Sequence, residues 1–136
     1  MDTLSRHERS ERMSLVRSRD TGPEKRVRSV VHSLGYRYRL HDRRLPGCPD
    51  LVFRSRRKVI FVHGCFWHRH PRCKNTRLPK SRLAFWKPKL FQNRIRDLRN
   101  ERKLLNSGWR SFVIWECETY DCAAISRSVK KFLGKP

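Results

Sequence analysis

Pro49-Asp50-Leu51-Val52-Phe53-Arg54-Ser55-Arg56-Arg57-Lys58-Val59-Ile60-Phe61-Val62-His63 contains two short apolar runs around a basic break. Leu51 to Phe53 and Val59 to Val62 are rich in strand-forming residues, and Arg54 to Lys58 has the charge and length of a turn, so the stretch reads as a β-hairpin. Upstream, Tyr36 to Leu40 alternates apolar and basic residues as a strand does. Before it, Val27, Val30, Val31 and Leu34 recur at helical spacing between the cap and proline signals of Asp20 to Glu24 and the stop at Gly35, which predicts a helix over 23–34. Downstream, Pro88 suits the first turn of a long helix reaching Asn106, with Phe91, Ile95, Leu98 and Leu105 along one inward face and Ser107-Gly108 as its stop. The opposite face carries Arg94, Arg96, Arg99, Arg102 and Lys103. Trp109 to Trp115 reads as a further buried strand, and Asp121 starts a terminal helix with Ile125, Val129 and Phe132 inward. This order of elements predicts an α/β domain with a central mixed β-sheet flanked by helices.

At 136 residues, one domain must both bind and react. Lys and Arg total 34 against 12 Asp and Glu, a net charge of +22 that calls for a polyanion, and nucleic acid is the obvious one. The basic residues run from Arg6 to Lys135 without a linker, repeat or low-complexity block, as on a folded basic surface. Residues 5 to 18 have helical composition with few core positions, and residues 1–20 read as a DNA-binding arm. No apolar run approaches the roughly 20 residues of a membrane span. The opening Met1 to Arg12 has no apolar signal segment, so a cytoplasmic protein is expected. Five cysteines there point to metal ligands or buried thiols rather than disulfides.

The densest chemistry is His63-Gly64-Cys65-Phe66-Trp67-His68-Arg69-His70-Pro71-Arg72-Cys73. Cys65, His70 and Cys73 are spaced so that a turning loop can wrap one ion, and a structural zinc needs a fourth ligand. Cys117 qualifies if its strand lies beside 59–62; Cys48 and Cys122 are weaker candidates. His63 and His68 are then left to hold or transfer a proton. Asp50, at the hairpin entry, offers an oxygen ligand suited to magnesium, although a turn-capping aspartate is the commoner reading of Pro-Asp. Glu24, in a first helical turn, reads by itself as a complement to the helix dipole.

Together these residues resemble the very-short-patch (Vsr-type) DNA mismatch repair endonucleases, relatives of the PD-(D/E)xK nuclease superfamily. The resemblance rests on Met13 through Asp20-Thr21 and Glu24-Lys25-Arg26, Leu45-Pro46-Gly47, Pro49-Asp50, Phe61 to His68, Phe85-Trp86, Trp109 and Trp115-Glu116-Cys117. It implies a restriction-endonuclease-like core, a structural zinc (Zn2+) on Cys65, His70, Cys73 and Cys117, and a catalytic magnesium (Mg2+) on Asp50 and the Val62 backbone carbonyl. His63 and His68 would act on water and phosphate, with Glu24 orienting water or a histidine. The implied reaction is a nick in one strand beside the thymine of a T·G mismatch, the product of 5-methylcytosine deamination, leaving 5′-phosphate and 3′-hydroxyl ends. The implied setting is the bacterial cytoplasm at the nucleoid, with a monomer acting on double-stranded DNA alongside mismatch-repair proteins and a repair polymerase.

A T·G pair barely distorts the duplex, so its selection requires testing how easily the stack opens. Phe66, Trp67 and Trp86 suit a wedge at the mismatch, as the resemblance implies, with Met13 and Val16 entering from the opposite groove. The loop His68 to Cys73 carries Pro and Arg where the family varies, and the superfamily's second acidic residue and lysine are absent. Histidine protonation then becomes a natural pH control. Two other readings compete: a restriction or homing nuclease of the same fold that reads intact sequence, and a non-catalytic zinc module that binds nucleic acid.

Overall fold

A computed structural model of the chain describes residues 20–136, so the arm read over 1–20, with Met13 and Val16, lies outside the described residues except for Asp20. Helix α1 spans Gly22–Ser33, with Thr21 as N-cap accepting a bond from the Glu24 N–H at 3.4 Å and Pro23 in its first turn. Thr21 answers one of the orphan amides of the helix start, and proline lacks an amide that would need answering. Strands β1 (Arg39–Leu40), β2 (Leu51–Phe53) and β3 (Lys58–His63) form an antiparallel meander, and β4 (Arg110–Trp115) pairs parallel with β3 at the sheet edge. A parallel pair requires a long crossover. Here it contains the single-turn α2 (Cys65–His68) and the long α3 (Leu83–Asn106), and α4 (Cys122–Leu133) closes the chain with Asp121 capping its first turn.

One face of the sheet packs on α1 and α4 through Val27, Val31, Leu51, Phe53, Ile60, Ile125 and Val129. The other face meets α3 through Val52, Val59, Phe61, Leu104 and Trp109. The sheet is thus the middle of three layers, and the mixed α/β architecture expected from the sequence is observed. The hairpin holds in register, Leu51 opposite Ile60 and Val52 opposite Val59. Ahead of it, Leu45-Pro46-Gly47-Cys48 forms a turn closed by Cys48 N–H to Leu45 C=O at 3.1 Å. Gly47 sits at φ +79°, and a Cβ there would come within 3.0 Å of the Phe61 ring, so only glycine lets this turn press against the sheet and deliver Asp50.

Four expectations are corrected. Only Arg39–Leu40 of the 36–40 stretch pairs as strand, because Tyr36 turns into the core beneath α4, where its ring is buried. Pro88 lies inside α3 rather than in its first turn. The helix begins five residues earlier, because Phe85 and Trp86 N–H bond back to Arg82 C=O and the Trp86 ring packs on Phe66 and Trp67, contacts that outweigh the one amide proline removes. The inward stripe of α3 is also displaced. Phe91, Leu98 and Leu105 are exposed, and the buried positions are Leu90 and Leu104, with half-buried Asp97 between them at seven-residue spacing on an adjoining face; Leu104 packs on the sheet. Strand β4 is half-buried rather than fully buried, as befits an edge.

Candidate active site and metal centre

At the carboxyl end of β3 lies a cavity of about 510 Å³ whose lining includes Glu24, Asp50, Val62, His63, His68 and Asp97. Asp50 emerges just before β2, and its Oδ2 accepts the Val62 N–H across the hairpin at 2.6 Å. In a strand the N–H and C=O of one residue point to the same side, so the Val62 carbonyl also faces the Asp50 side. Burial pushes the Asp50 carboxyl up to about 6. The Val62 amide, His41 and Arg28 pull it back, and the Glu24 charge pushes it further up. A carboxylate so poorly solvated is primed for a cation.

His63, the last residue of β3, is buried, and its ring stacks on His68 with centroids 3.8 Å apart and planes 8° from parallel. Burial, reinforced by the neighbouring His68 and Arg94, drives the His63 imidazolium down to about 3, against the opposing pull of Asp97. Burial thus favours the neutral imidazole at position 63. His68, from α2, differs: its Nδ1 lies 2.7 Å from Asp97 Oδ2 on α3. A carboxylate on Nδ1 fixes the tautomer and leaves Nε2 for the cavity. The inward stripe of α3 that buries Leu90 and Leu104 delivers Asp97 to this position.

Glu24 is the buried end of a network at the α1 start. Its Oε2 accepts the Asp20 N–H at 2.8 Å and Arg28 Nη2 at 2.9 Å, and lies 3.1 Å from His41 Nε2. His41 also reaches Asp50 Oδ1 at 3.6 Å, so one ring bridges the two carboxylates.

Beside this cavity, Cys65, His70, Cys73 and Cys117 each bring a donor atom within 4.8 Å of the others. His70 Nδ1 is 3.7 Å from Cys65 Sγ and 3.5 Å from Cys117 Sγ. A tetrahedral ion with metal to sulfur and nitrogen bonds of about 2.3 and 2.0 Å gives S···N edges of about 3.5 Å, so the donor set fits. Burial, with Cys65 and Cys73 beside it, pushes Cys117 up to about 12, and burial with Cys73 raises Cys65 against the opposing hydrogen bonds of Cys117, so a cation among them would favour the thiolates. The pairing of His63 with Trp115 across β3 and β4 is what places Cys117 here. Cys48 and Cys122 do not join the cluster.

The family model for "DNA mismatch endonuclease Vsr" matches residues 1–75. The chain is 53% identical over 132 residues to the type II nicking enzyme V.XorIIP of Xanthomonas oryzae pv. oryzae, covering 97% of this chain and 96% of that protein. It belongs to the Vsr family. The DNA mismatch endonuclease Vsr of Escherichia coli is 41% identical over 116 residues, 85% of this chain and 74% of the relative. The type II nicking enzyme V.NmeAIP of Neisseria meningitidis is 40% identical over 117 residues, 86% and 83% of the two chains.

In this Vsr-family chain, Phe66, Trp67 and Trp86 form one cluster, each pair of rings within 5.7 Å, and none is fully buried. Lys89 Nζ lies 5.7 Å from the Trp67 ring centre and 6.0 Å from that of Trp86. Half-exposed aromatics beside cations are able to meet both bases and phosphates. Asp50, His63, His68 and Glu24 thus line one cavity, with Phe66 and Trp67 on α2 and Trp86 on α3. Four participants were missed: Asp97, His41, Arg28 and Trp115. Trp115 stacks on His70 at 4.3 Å and meets His63 edge-on at 5.4 Å, which ties the metal cluster to the cavity. Only Trp115, in the Trp115-Glu116-Cys117 motif, carried a signal in the sequence.

Proposed function

We propose that this protein nicks one strand of duplex DNA beside the thymine of a T·G mismatch, within a restriction-endonuclease-like core. The convergence of Asp50, His63 and the His68 and Asp97 pair on one cavity carries the reading. Asp50 and the Val62 carbonyl are the residues that would hold Mg2+, which when bound supplies Lewis-acid polarisation of the phosphate and lowers the cost of ionising water. His68 Nε2, held by Asp97, takes the proton of the attacking water as the bond from phosphorus to the 3′ oxygen breaks, and solvent reprotonates that oxygen. Neutral His63 orients the reacting groups as a hydrogen-bond partner, and Glu24 orients water. Phe66, Trp67 and Trp86 wedge into the stack at the mismatch, with Met13 and Val16 acting from the other groove.

Cys65, His70, Cys73 and Cys117 would hold a Zn2+ that supplies structure only, pinning α2 and its His68 to the end of β4. The setting that fits is the bacterial cytoplasm at the nucleoid, a monomer on DNA whose nick passes to a repair polymerase with mismatch-repair proteins. Among the described residues no helix is long and apolar enough to cross a membrane. A net charge of +22 makes binding steeply salt-dependent.

The deciding assay compares duplexes that differ only in one pair. At equal salt a T·G duplex is nicked at least about tenfold faster than its T·A control, since opening a weakened stack costs less. Equal rates would favour a nuclease that reads intact sequence. Metal analysis tests the second centre: the purified chain carries one zinc, and Cys117→Ser loses it and melts at least about 10 °C lower. A Cys117→Ser protein that keeps both zinc and melting temperature removes that centre from the proposal.

A further inference from the structure

Arg28 occupies an unusual place in the network behind the catalytic carboxylates. Asp20, Glu24 and His41 can each bring one donor atom within 4.8 Å of the others, the donor set and spacing of a small cation site. The terminal Nη2 of Arg28 stands among them, 2.7 Å from Asp20 Oδ1, 2.9 Å from Glu24 Oε2 and 3.4 Å from His41 Nε2. One nitrogen therefore contacts all three groups. The side chain is only 15% exposed, and its Nε is buried without a hydrogen-bond partner, so the guanidinium is held by its far end alone. An arrangement that leaves a buried N–H unanswered costs stability, which argues that the position of the charge is what is retained.

We infer that Arg28 is an internal substitute for a divalent cation: it fills the seat made by Asp20, Glu24 and His41 with a charge that cannot exchange or deprotonate. Two consequences follow from the geometry. Glu24 Oε2 is taken up by the Asp20 amide, Arg28 and His41, so Glu24 is held as a hydrogen-bonding carboxylate rather than released as a metal ligand. Exchangeable metal is confined to the Asp50 side of the cavity. Arg28 is in this sense a positioning residue, acting through Glu24. Because Asp20 is part of the same clasp, the residue just ahead of the α1 cap is fastened to Glu24 by the same guanidinium. The inference rests on the reading of Asp50 as the metal ligand, and the two are separable by counting ions.

The test counts exchangeable Mn2+ bound to the zinc-loaded full chain, read from the loss of the free Mn2+ resonance signal on titration. Arg28→Ala and Arg28→Gln each bind one Mn2+ more per chain than the parent, and Arg28→Ala combined with Glu24→Gln returns to the parent count. Glu24→Gln alone leaves the count unchanged. An unchanged count in both Arg28 variants overturns the inference. So does a count that falls in Glu24→Gln, a measurement that stands even where the Arg28 variants do not fold. Asp50→Asn decides the underlying reading separately: it lowers the parent count if Asp50 is the ligand and leaves it unchanged if not, whatever the Arg28 variants do.

Discussion

Asp50→Asn yields a folded protein that still binds duplex DNA, fails to nick it, and melts at a higher temperature than the parent when no divalent cation is present. The loss of activity is at least about 10³-fold, because the cation this carboxylate would hold contributes several kcal/mol of transition-state stabilisation, and each 1.4 kcal/mol is about tenfold. The gain in stability follows from burial. Asp50 is pushed from 3.8 up to about 6 in the folded protein, chiefly by desolvation. Its folded value lies above the unfolded one, so between about pH 4 and 6 the native state binds more protons than the unfolded chain. Stability therefore falls as pH rises through that window, and the full penalty, on the order of 2 kcal/mol, is present above it. Asparagine removes the charge and keeps an oxygen to accept the Val62 amide. The melting temperatures of parent and variant should differ at pH 8 and converge toward pH 4, and added Mg2+ should raise only the parent. Undiminished nicking by Asp50→Asn refutes the metal role, and equal melting temperatures at pH 8 refute the burial penalty.

The parts of this molecule that sequence exposes are those whose signals are local. The hairpin needed only two apolar runs and a basic turn, α1 only Thr21, Pro23 and Gly35, and α4 only Asp121 three residues before the amide it caps. Helix α3 was misread for a reason tied to function. Its inward stripe carries Asn93, Asp97 and Asn100 between Leu90 and Leu104, since part of it borders a polar cavity instead of the apolar core. Hydrophobic periodicity consequently selected the adjoining Phe91, Leu98 and Leu105 stripe, which is exposed. The same misreading hid Asp97, which looks like one more charge on an arginine-rich helix until α3 is turned to face the cavity.

The histidine and cysteine cluster was legible because seven of its eleven residues are histidine, cysteine or aromatic, more than packing requires. Its fourth member, Cys117, was not fixed by spacing. Cys117 reaches the cluster because β4 runs parallel to β3 in a register that sets Trp115 beside His63. Arg28 follows Glu24 by one turn on α1, a charge pairing too common on helices to mark a site, and His41 is a single residue among many basic ones that only the return of the chain past α1 brings to Glu24 and Asp50.

His68 and Asp97 are expected to act as one unit, with His63 outside it. His68→Ala lowers nicking by about 10²–10⁴-fold, the usual worth of a positioned proton acceptor. Asp97→Asn costs less, about 10²-fold, because the imidazole remains but loses the partner that fixes its Nδ1 proton. In the double variant the losses do not multiply: once the ring is gone the carboxylate 2.7 Å away has nothing left to orient, so the combination is no worse than His68→Ala by more than a few-fold. His63 gives a different pattern. Burial keeps its imidazolium from forming above about pH 3, so it serves as a neutral partner, a part that glutamine can also fill. His63→Gln therefore retains more activity than His68→Gln when the two are compared in one nicking assay. Multiplying losses in the double variant would separate Asp97 from the histidine it touches. A glutamine at 63 as damaging as one at 68 would show that both rings handle the proton despite the burial of the first.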